Sequence, residues 1–336
     1  MKLLILGGTQ FVGRHLVEAA LARGHEPTLF NRGRNAALFP QLERRVGDRR
    51  GDLSALALGE WDAVIDTCGY LPREVEASAA LLRGRVGRYL FVSSASVYAG
   101  FAAPNDEGSP LGRVEDLPDP ATEVVDGSSY GPLKAACEAR VRAHFGAAAL
   151  LIRPGLIVGP HDPTQRFSYW PARLARAADG EAVLAPGRPD DGLQFIDVRD
   201  LAAFALDALT QGLGGAFNAL SAPGQWRRDE LLQACAAAAG VAPRWVWGGD
   251  QPLLDLGLQP WTELPLWLPA SGDHAAFMRC DNRAALAAGL RIRPLAQTVA
   301  DTLAWWRGLP PEQQAFTKAG LAPQREAEAL AALQRA

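Results

Sequence analysis

Lysine is scarce in this sequence: only Lys2, Lys134 and Lys318 occur, so almost all of the 34 Lys and Arg residues are arginine. The bias fits genome composition, since alanine and glycine are also abundant. An excess of either charge is missing too. The 34 cationic residues face 37 acidic ones, a net charge of −3. That removes the electrostatic case for a nucleic acid or an anionic membrane as partner. Cysteine is sparse: Cys68, Cys137, Cys235 and Cys280 are far apart. No CxxC redox or zinc pattern exists, and no metal site is expected. Cys68 and Cys137 lie in apolar stretches and read as buried thiols. Long apolar runs are absent, so no membrane span is expected. Met1-Lys2 leads straight into Leu3-Leu4-Ile5-Leu6 without a signal-peptide pattern, and a cytoplasmic location is the default expectation.

What remains is an ordinary globular composition of 336 residues, 48% hydrophobic and 21% charged. At about 150 residues per domain, the length suggests two domains. Short apolar runs alternate with helical periodicity through the first half. Leu3–Leu6, Thr28–Phe30, Arg45–Gly47, Ala63–Ile65, Tyr89–Val92 and Leu150–Ile152 read as strands. Helices are predicted from Phe11 to Leu21, from Pro72 to Leu82, from Tyr130 to His144, from about Tyr169 to Ala178 and from Leu201 to Leu209. The pattern predicts an α/β fold, a doubly wound parallel sheet of the Rossmann type with a smaller C-terminal substrate-binding domain. The nucleotide-binding domain is assigned to residues 1–160 and 193–222, the smaller domain to 161–192 and 223–320, and a terminal helix to 321–336.

Gly7-Gly8-Thr9-Gln10-Phe11-Val12-Gly13 follows the first strand and opens the first helix. That is the context of a dinucleotide fingerprint: glycines let the backbone approach a pyrophosphate, and the helix start offers free N–H groups. The second strand ends Phe30-Asn31-Arg32-Gly33-Arg34. A carboxylate there would accept from the 2′-hydroxyl of NAD, whereas arginine accommodates the 2′-phosphate of NADP. Arg32 and Arg34 therefore favour NADP(H) over NAD(H), although two solvated arginines are the plain alternative in so arginine-rich a chain. Asp48 and Arg49 are placed to meet the adenine or its phosphate. Ser93 and Ser94 put hydroxyls at the carboxyl end of the fifth strand, Ser93 on the cofactor side.

Tyr130 and Lys134 form a YxxxK pair, four residues apart on one helical face. A free tyrosine is a poor acid or base near neutrality, and an adjacent ammonium favours its phenolate. The same ammonium suits the hydroxyls of a nicotinamide ribose. Taken together, the glycine loop, the serine strand end and YxxxK resemble the extended short-chain dehydrogenase/reductase superfamily, of the NAD(P)-dependent epimerase/dehydratase type, over roughly residues 1–310. The likeness is strongest to a subgroup with Gly-Gly-Thr-x-Phe-x-Gly-Arg and Asn-Arg-Gly, which stand here at Gly7–Arg14 and Asn31–Gly33. The resemblance implies Ser94 as a substrate-orienting hydroxyl, Tyr130 as acid/base and Lys134 as its partner. It also implies that Thr67, Cys68 and Gly69 line the adenosine side, with Pro154 and Gly155 near the nicotinamide. Homodimerisation through paired helices is implied by the resemblance alone.

Departures from the family pattern narrow the chemistry. Ala95 and Ser96 stand where dehydratases carry an acidic pair. Leu156 and Leu193 stand where nucleotide-sugar epimerases carry an Asn and an Arg for the diphosphate, and Arg166 or Arg188 are the available substitutes. The reading is hydride transfer to or from a carbonyl or secondary alcohol of a small molecule. The alternatives are a nucleotide-sugar epimerase with tightly held NAD and a non-catalytic, RNA-associated member. Phe101, Phe167, Tyr169, Trp170 and Trp261 are candidates for an apolar pocket, with core packing the commoner role. Gly127-Ser128-Ser129-Tyr130-Gly131 matches GxSxG by letter, but a nucleophile elbow needs a strand before it. His161-Asp162 reads as a polar loop, and His15 as solvated or capped by packing.

Overall fold

The structure, a computed structural model, describes residues 1–335. Its centre is a seven-stranded, wholly parallel sheet. The first six strands are β1 (Lys2–Leu6), β2 (Glu26–Asn31), β3 (Arg44–Val46), β4 (Trp61–Asp66), β5 (Val86–Val92) and β6 (Ala149–Pro154). Three short strands, β7 (Leu156–Val158), β8 (Ala182–Pro186) and β9 (Gly192–Leu193), and then β10 (Phe195–Asp197) precede the seventh member, β11 (Gly215–Ala219). The order across the sheet is β11-β6-β5-β4-β1-β2-β3. Strand order reverses between β1 and β4, and ligands bind in such sheets at the carboxyl ends beside that reversal.

Alternation along the strands explains the layers. Leu3 and Ile5 face one core with Leu16, Val17 and Phe204, while Leu4 and Leu6 face another with Val75, Tyr89 and Val141. Successive strand side chains point to opposite faces, so a strand covered on both sides reads as an unbroken apolar run. Helices α1 (Phe11–Ala22) and, further along, α5 (Val198–Thr210) cover one face. Helices α2 (Pro72–Leu82) and α3 (Tyr130–Phe145) cover the other. The strand ends share a register: Leu6 pairs with Phe30 and Asp66, and Asp66 with Phe91. The loops after β1, β2, β4 and β5 thus leave the sheet at one edge.

A third core is built from residues that follow β6. It joins α4 (Tyr169–Leu174), α6 (Arg228–Ala239), α9 (Leu295–Arg307) and α10 (Pro323–Leu333) around Trp170, Leu184, Leu231, Trp267 and Val299. Two strand pairs complete it, β12 (Trp226–Arg227) on β9 and β13 (Arg244–Gly248) on β8, along with α7 (Asp250–Asp255). The short α8 (Arg283–Ala287) packs back on β11. The terminal helix is part of this core: Glu326 pairs with Arg173 at 2.7 Å and accepts from the Leu184 N–H at 3.1 Å. The strands run longer than their most apolar stretches because polar ends such as Lys2 and Glu26 still pair with neighbours. The helix expected from Tyr169 to Ala178 ends at Leu174.

Candidate active site

One cleft of about 1210 Å³ runs along the carboxyl edge of the sheet. At one end lies the glycine loop. Gly7 and Gly8 adopt φ +108° and +85°, values that L side chains rarely take. A Cβ on Gly13 would sit 2.6 Å from the Gly8 nitrogen and 2.9 Å from its Cα. These contacts are backbone to backbone, so the missing side chain is what lets α1 start against β1. Gln10 occupies the N-cap without a side-chain cap bond, and the first turn holds no acidic residue. The helix start therefore presents free N–H groups and a positive dipole end to the cleft. Thr9, Gln10, Phe11 and Val12 line it.

Asn31 holds this loop in place. Its Nδ2 donates to the Gly7 carbonyl at 2.9 Å, and its Oδ1 accepts from the Gly33 N–H at 3.0 Å. Arg32 and Arg34 follow, both exposed and both lining the cleft. Neither side chain has a hydrogen-bond or ion-pair partner among the described residues. A glycine cradle, an uncapped helix start and two uncommitted guanidiniums fit an anionic dinucleotide.

Several expected contacts turn out differently. Arg49 borders the cleft, but its guanidinium is only 9% exposed and grips Asp66 bidentately at 2.6 and 3.0 Å. It also donates to Ser78 Oγ at 3.2 Å. That charge is neutralised inside the protein and is not available to an adenine phosphate. Burial opposes the Asp66 carboxylate, and Arg49 overcomes this, holding the group below its ordinary value. Asp48 does line the cleft and accepts from the Arg50 N–H at 3.1 Å. Thr67 and Cys68 line it as well, but Gly69 is buried beneath and Tyr70 takes its place at the wall. Cys68 is half-buried, with Sγ 3.4 Å from Arg49; Cys137 is buried. Ser93 lies below the wall, and its Oγ has no partner among the described residues. Pro154 and Gly155 line the cleft at the end of β6.

Ser94 and Tyr130 meet in the middle of the cleft. Ser94 caps a 3₁₀ turn over Ala95–Val97, accepting from the Ser96 N–H at 3.1 Å. Tyr130 opens α3. The next residue, Gly131, packs so tightly on this turn that a Cβ would collide with the Ser96 carbonyl oxygen. Burial pushes the phenol of Tyr130 above its ordinary range, and the Ser94 hydroxyl opposes that. The direction is opposite to the lowering expected from an adjacent ammonium. Lys134 itself is buried behind the wall. Its Nζ donates to the carbonyls of Gly69 at 2.8 Å and Val92 at 2.7 Å and lies 4.0 Å from the Phe91 ring centroid. Burial pulls the ammonium down to about 8. Three donors less two bonds leave one N–H free.

A buried pair fixes the far side of α3. Arg153 on β6 reaches Glu138 at 2.9 and 2.7 Å and also donates to the Tyr98 hydroxyl at 3.3 Å. Both partners are 1% exposed. Removing one leaves the other charge buried and unpaired, which costs about 3–5 kcal/mol. Glu138→Leu is accordingly expected to lower the unfolding free energy by about that amount in urea titrations.

The other end of the cleft is apolar. Phe101 and Trp261 line it, but Phe167, Tyr169 and Trp170 are buried in the third core. Sequence reasoning missed Leu268, His274, Phe277 and Met278, which complete the wall. They lie in an irregular segment with no periodicity to signal them. Leu156 lines the cleft, whereas Leu193 is fully buried. Arg166 reaches the cleft. Arg188 does not; it is exposed and pairs with Asp191 at 3.2 Å. Ser129 of the GxSxG string is buried, donates to the Val124 carbonyl at 2.6 Å and follows a loop rather than a strand. His161 sits 3.4 Å from Arg14 and Asp162 bonds Thr164. His15 is buried, within 3.0 Å of the Pro160 carbonyl. No helix is long and apolar enough to cross a membrane among the described residues.

Residues 73–219 match the model of the NAD dependent epimerase/dehydratase family. The chain is 30% identical over 281 residues to 2-alkyl-3-oxoalkanoate reductase of Stenotrophomonas maltophilia (strain K279a), covering 73% of this chain and 77% of that protein. It is 27% identical over 260 residues, 71% of its length, to the chloroplast stem-loop binding protein of 41 kDa b of Arabidopsis thaliana. It spans 63% of that protein's length. A putative epimerase from Burkholderia cenocepacia J2315 shares the fold, with a TM-score of 0.66 at 20% identity over 90% of this chain and 97% of that one. The parallel sheet order agrees with these matches, and the chain belongs to the NAD-dependent epimerase/dehydratase family within the extended short-chain dehydrogenases/reductases.

Proposed function

We propose that the protein is an NADP(H)-preferring oxidoreductase that reduces a carbonyl, or oxidises the corresponding secondary alcohol, of a small molecule other than a nucleotide sugar. The observation that carries this reading is the phenol of Tyr130 beside the Ser94 hydroxyl in a cleft with an apolar far wall. The glycine loop, the α1 start, Arg32 and Arg34 would hold the dinucleotide, and the nicotinamide supplies or accepts the hydride when bound. Ser94 orients the carbonyl oxygen by donating to it. Tyr130 gives that oxygen its phenolic proton as the alkoxide develops. Lys134 stands behind with one N–H free, placed to steady the ribose and the phenolate that remains. Reduction is supported by the likeness to an oxoalkanoate reductase. Epimerisation of a nucleotide sugar is disfavoured by Leu156 and Leu193, because a diphosphate needs donors and charge. The near-neutral charge supports a small molecule over RNA as partner.

A panel of ketones and oxo acids scored by loss of NADPH tests the reading. Stoichiometric consumption with at least one of them is expected. Purified protein that carries tightly held NAD and interconverts a nucleotide sugar without net consumption would overturn it. The cofactor preference has its own test. Changing Arg32 and Arg34 together to alanine is expected to weaken NADPH binding roughly 10- to 100-fold and to leave NADH nearly unchanged. Equal losses for both cofactors in a fluorescence titration would show that the two arginines do not read the 2′-phosphate.

A further inference from the structure

Resting on the carbonyl-reductase reading, we infer that the substrate has a flat apolar body and a single oxyanion group, and that Arg166 binds that group. Among the described residues, Arg166 brings the one guanidinium to the apolar end of the cleft. The other cleft-lining arginines, at 32, 34, 49 and 50, lie by the glycine loop. Arg166 lies on the Trp261 ring, its guanidinium carbon 5.7 Å from the centroid. Its side chain makes no hydrogen bond among the described residues, and Nε is buried without a partner. Asp162 is near enough for its charge to act on Arg166, but it forms no ion pair with it. Its carboxylate is committed to the Thr164 N–H at 2.8 Å and hydroxyl at 3.0 Å.

A half-buried cation with neither a hydrogen bond nor an ion pair is an expensive arrangement unless an anion completes it. Burial already disfavours its charge. The surroundings define the rest of the ligand. Phe101 and Phe277 have ring centroids 4.9 Å apart, and Trp261 stands 5.6 Å from Phe277. These rings pack on one another and together present an aromatic wall to the cleft, against which a flat apolar group packs by offset or edge contacts. One planar guanidinium fork matches one carboxylate or one phosphate monoester. A diphosphate would bring more charge than this end can meet, with Leu156 in the wall and Asp126 also lining the cleft.

The test is a tryptophan-fluorescence titration of the NADPH-loaded protein with benzoate, phenyl phosphate and benzamide. One of the two anions is expected to bind at least about 10-fold more tightly than the neutral amide. Arg166→Gln is expected to abolish that gap by weakening the anion and leaving benzamide unchanged. Whichever anion binds better identifies the oxyanion as carboxylate or phosphate. Three equal affinities in the unmodified protein, or a gap that survives in Arg166→Gln, overturn the inference. Arg166→Lys keeps the charge, loses the fork and serves where the glutamine variant does not fold. It should shrink the gap several-fold, and an undiminished gap overturns the inference. Turnover of benzoylformate and its methyl ester separates the two claims. Reduction of both at equal efficiency keeps the reductase reading and overturns this inference. An Arg166-dependent anion gap without ketone turnover keeps the anion site and removes the reductase reading.

Discussion

Tyr130→Phe is expected to lower kcat roughly 100- to 10,000-fold while leaving NADPH affinity and thermal stability close to those of the parent. The substitution removes one oxygen and keeps the ring. Tyr130 is the first residue of α3, and the contacts that fix this helix come from Gly131, Leu133, Lys134 and Glu138 rather than from the phenolic oxygen. The loss therefore falls on proton transfer. The phenol lines the cleft beside Ser94, where a developing alkoxide can take its proton. Steady-state kinetics with the best ketone, alongside a cofactor titration, checks this. A variant with full turnover would assign the proton to another group. Unchanged kcat with a raised KM would make Tyr130 a binding residue only.

Gly13→Ala is expected to weaken NADPH binding by about 100-fold or more and to lower the melting temperature. One methyl group suffices because its neighbours would be the Gly8 nitrogen and Cα. Those atoms belong to a loop held by the Asn31 bond to the Gly7 carbonyl and by two left-handed glycine conformations. The loop cannot shift without opening the cradle or breaking that staple. Gly51→Ala is the control: a Cβ there meets nothing within 4 Å, and the backbone has no unusual φ. It should leave cofactor binding unchanged. Equal behaviour of the two variants would mean that the cradle does not set the affinity.

The residues show where sequence alone was a sufficient guide. The sheet was legible because strands buried on both faces read as continuous apolar runs, as in Leu3–Leu6 and Ala149–Ile152. The glycine loop was legible because its letters report backbone constraints that no other residue meets. Arg49 was misread since a charged residue next to the cleft gives no sign of turning inward. Its partner Asp66 lies 17 positions away, at the end of another strand. Gly69 was misread by a single position, and one step along a loop exchanges wall for floor. The aromatic end was only half legible. Phe101 and Trp261 belong to it, while Phe277 and Met278 come from a segment whose path is set by tertiary packing. Arg153 and Glu138 carried no signal, since a pairing between a helix and a strand is a property of three dimensions.

Helix α3 is pinned at two places. Gly131 leaves no room between it and the turn after β5, and Glu138 is locked to Arg153. The phenol of Tyr130 thus rides on a part of the molecule that is held rigidly in place. Accommodation must come from the opposite wall, where residues 261–278 follow an irregular path with one short 3₁₀ turn. Chemistry and choice of substrate are in this way assigned to separate pieces of chain. On the proposed reading, redirecting the protein toward a new ketone is a matter of rewriting that segment and leaving the helix untouched.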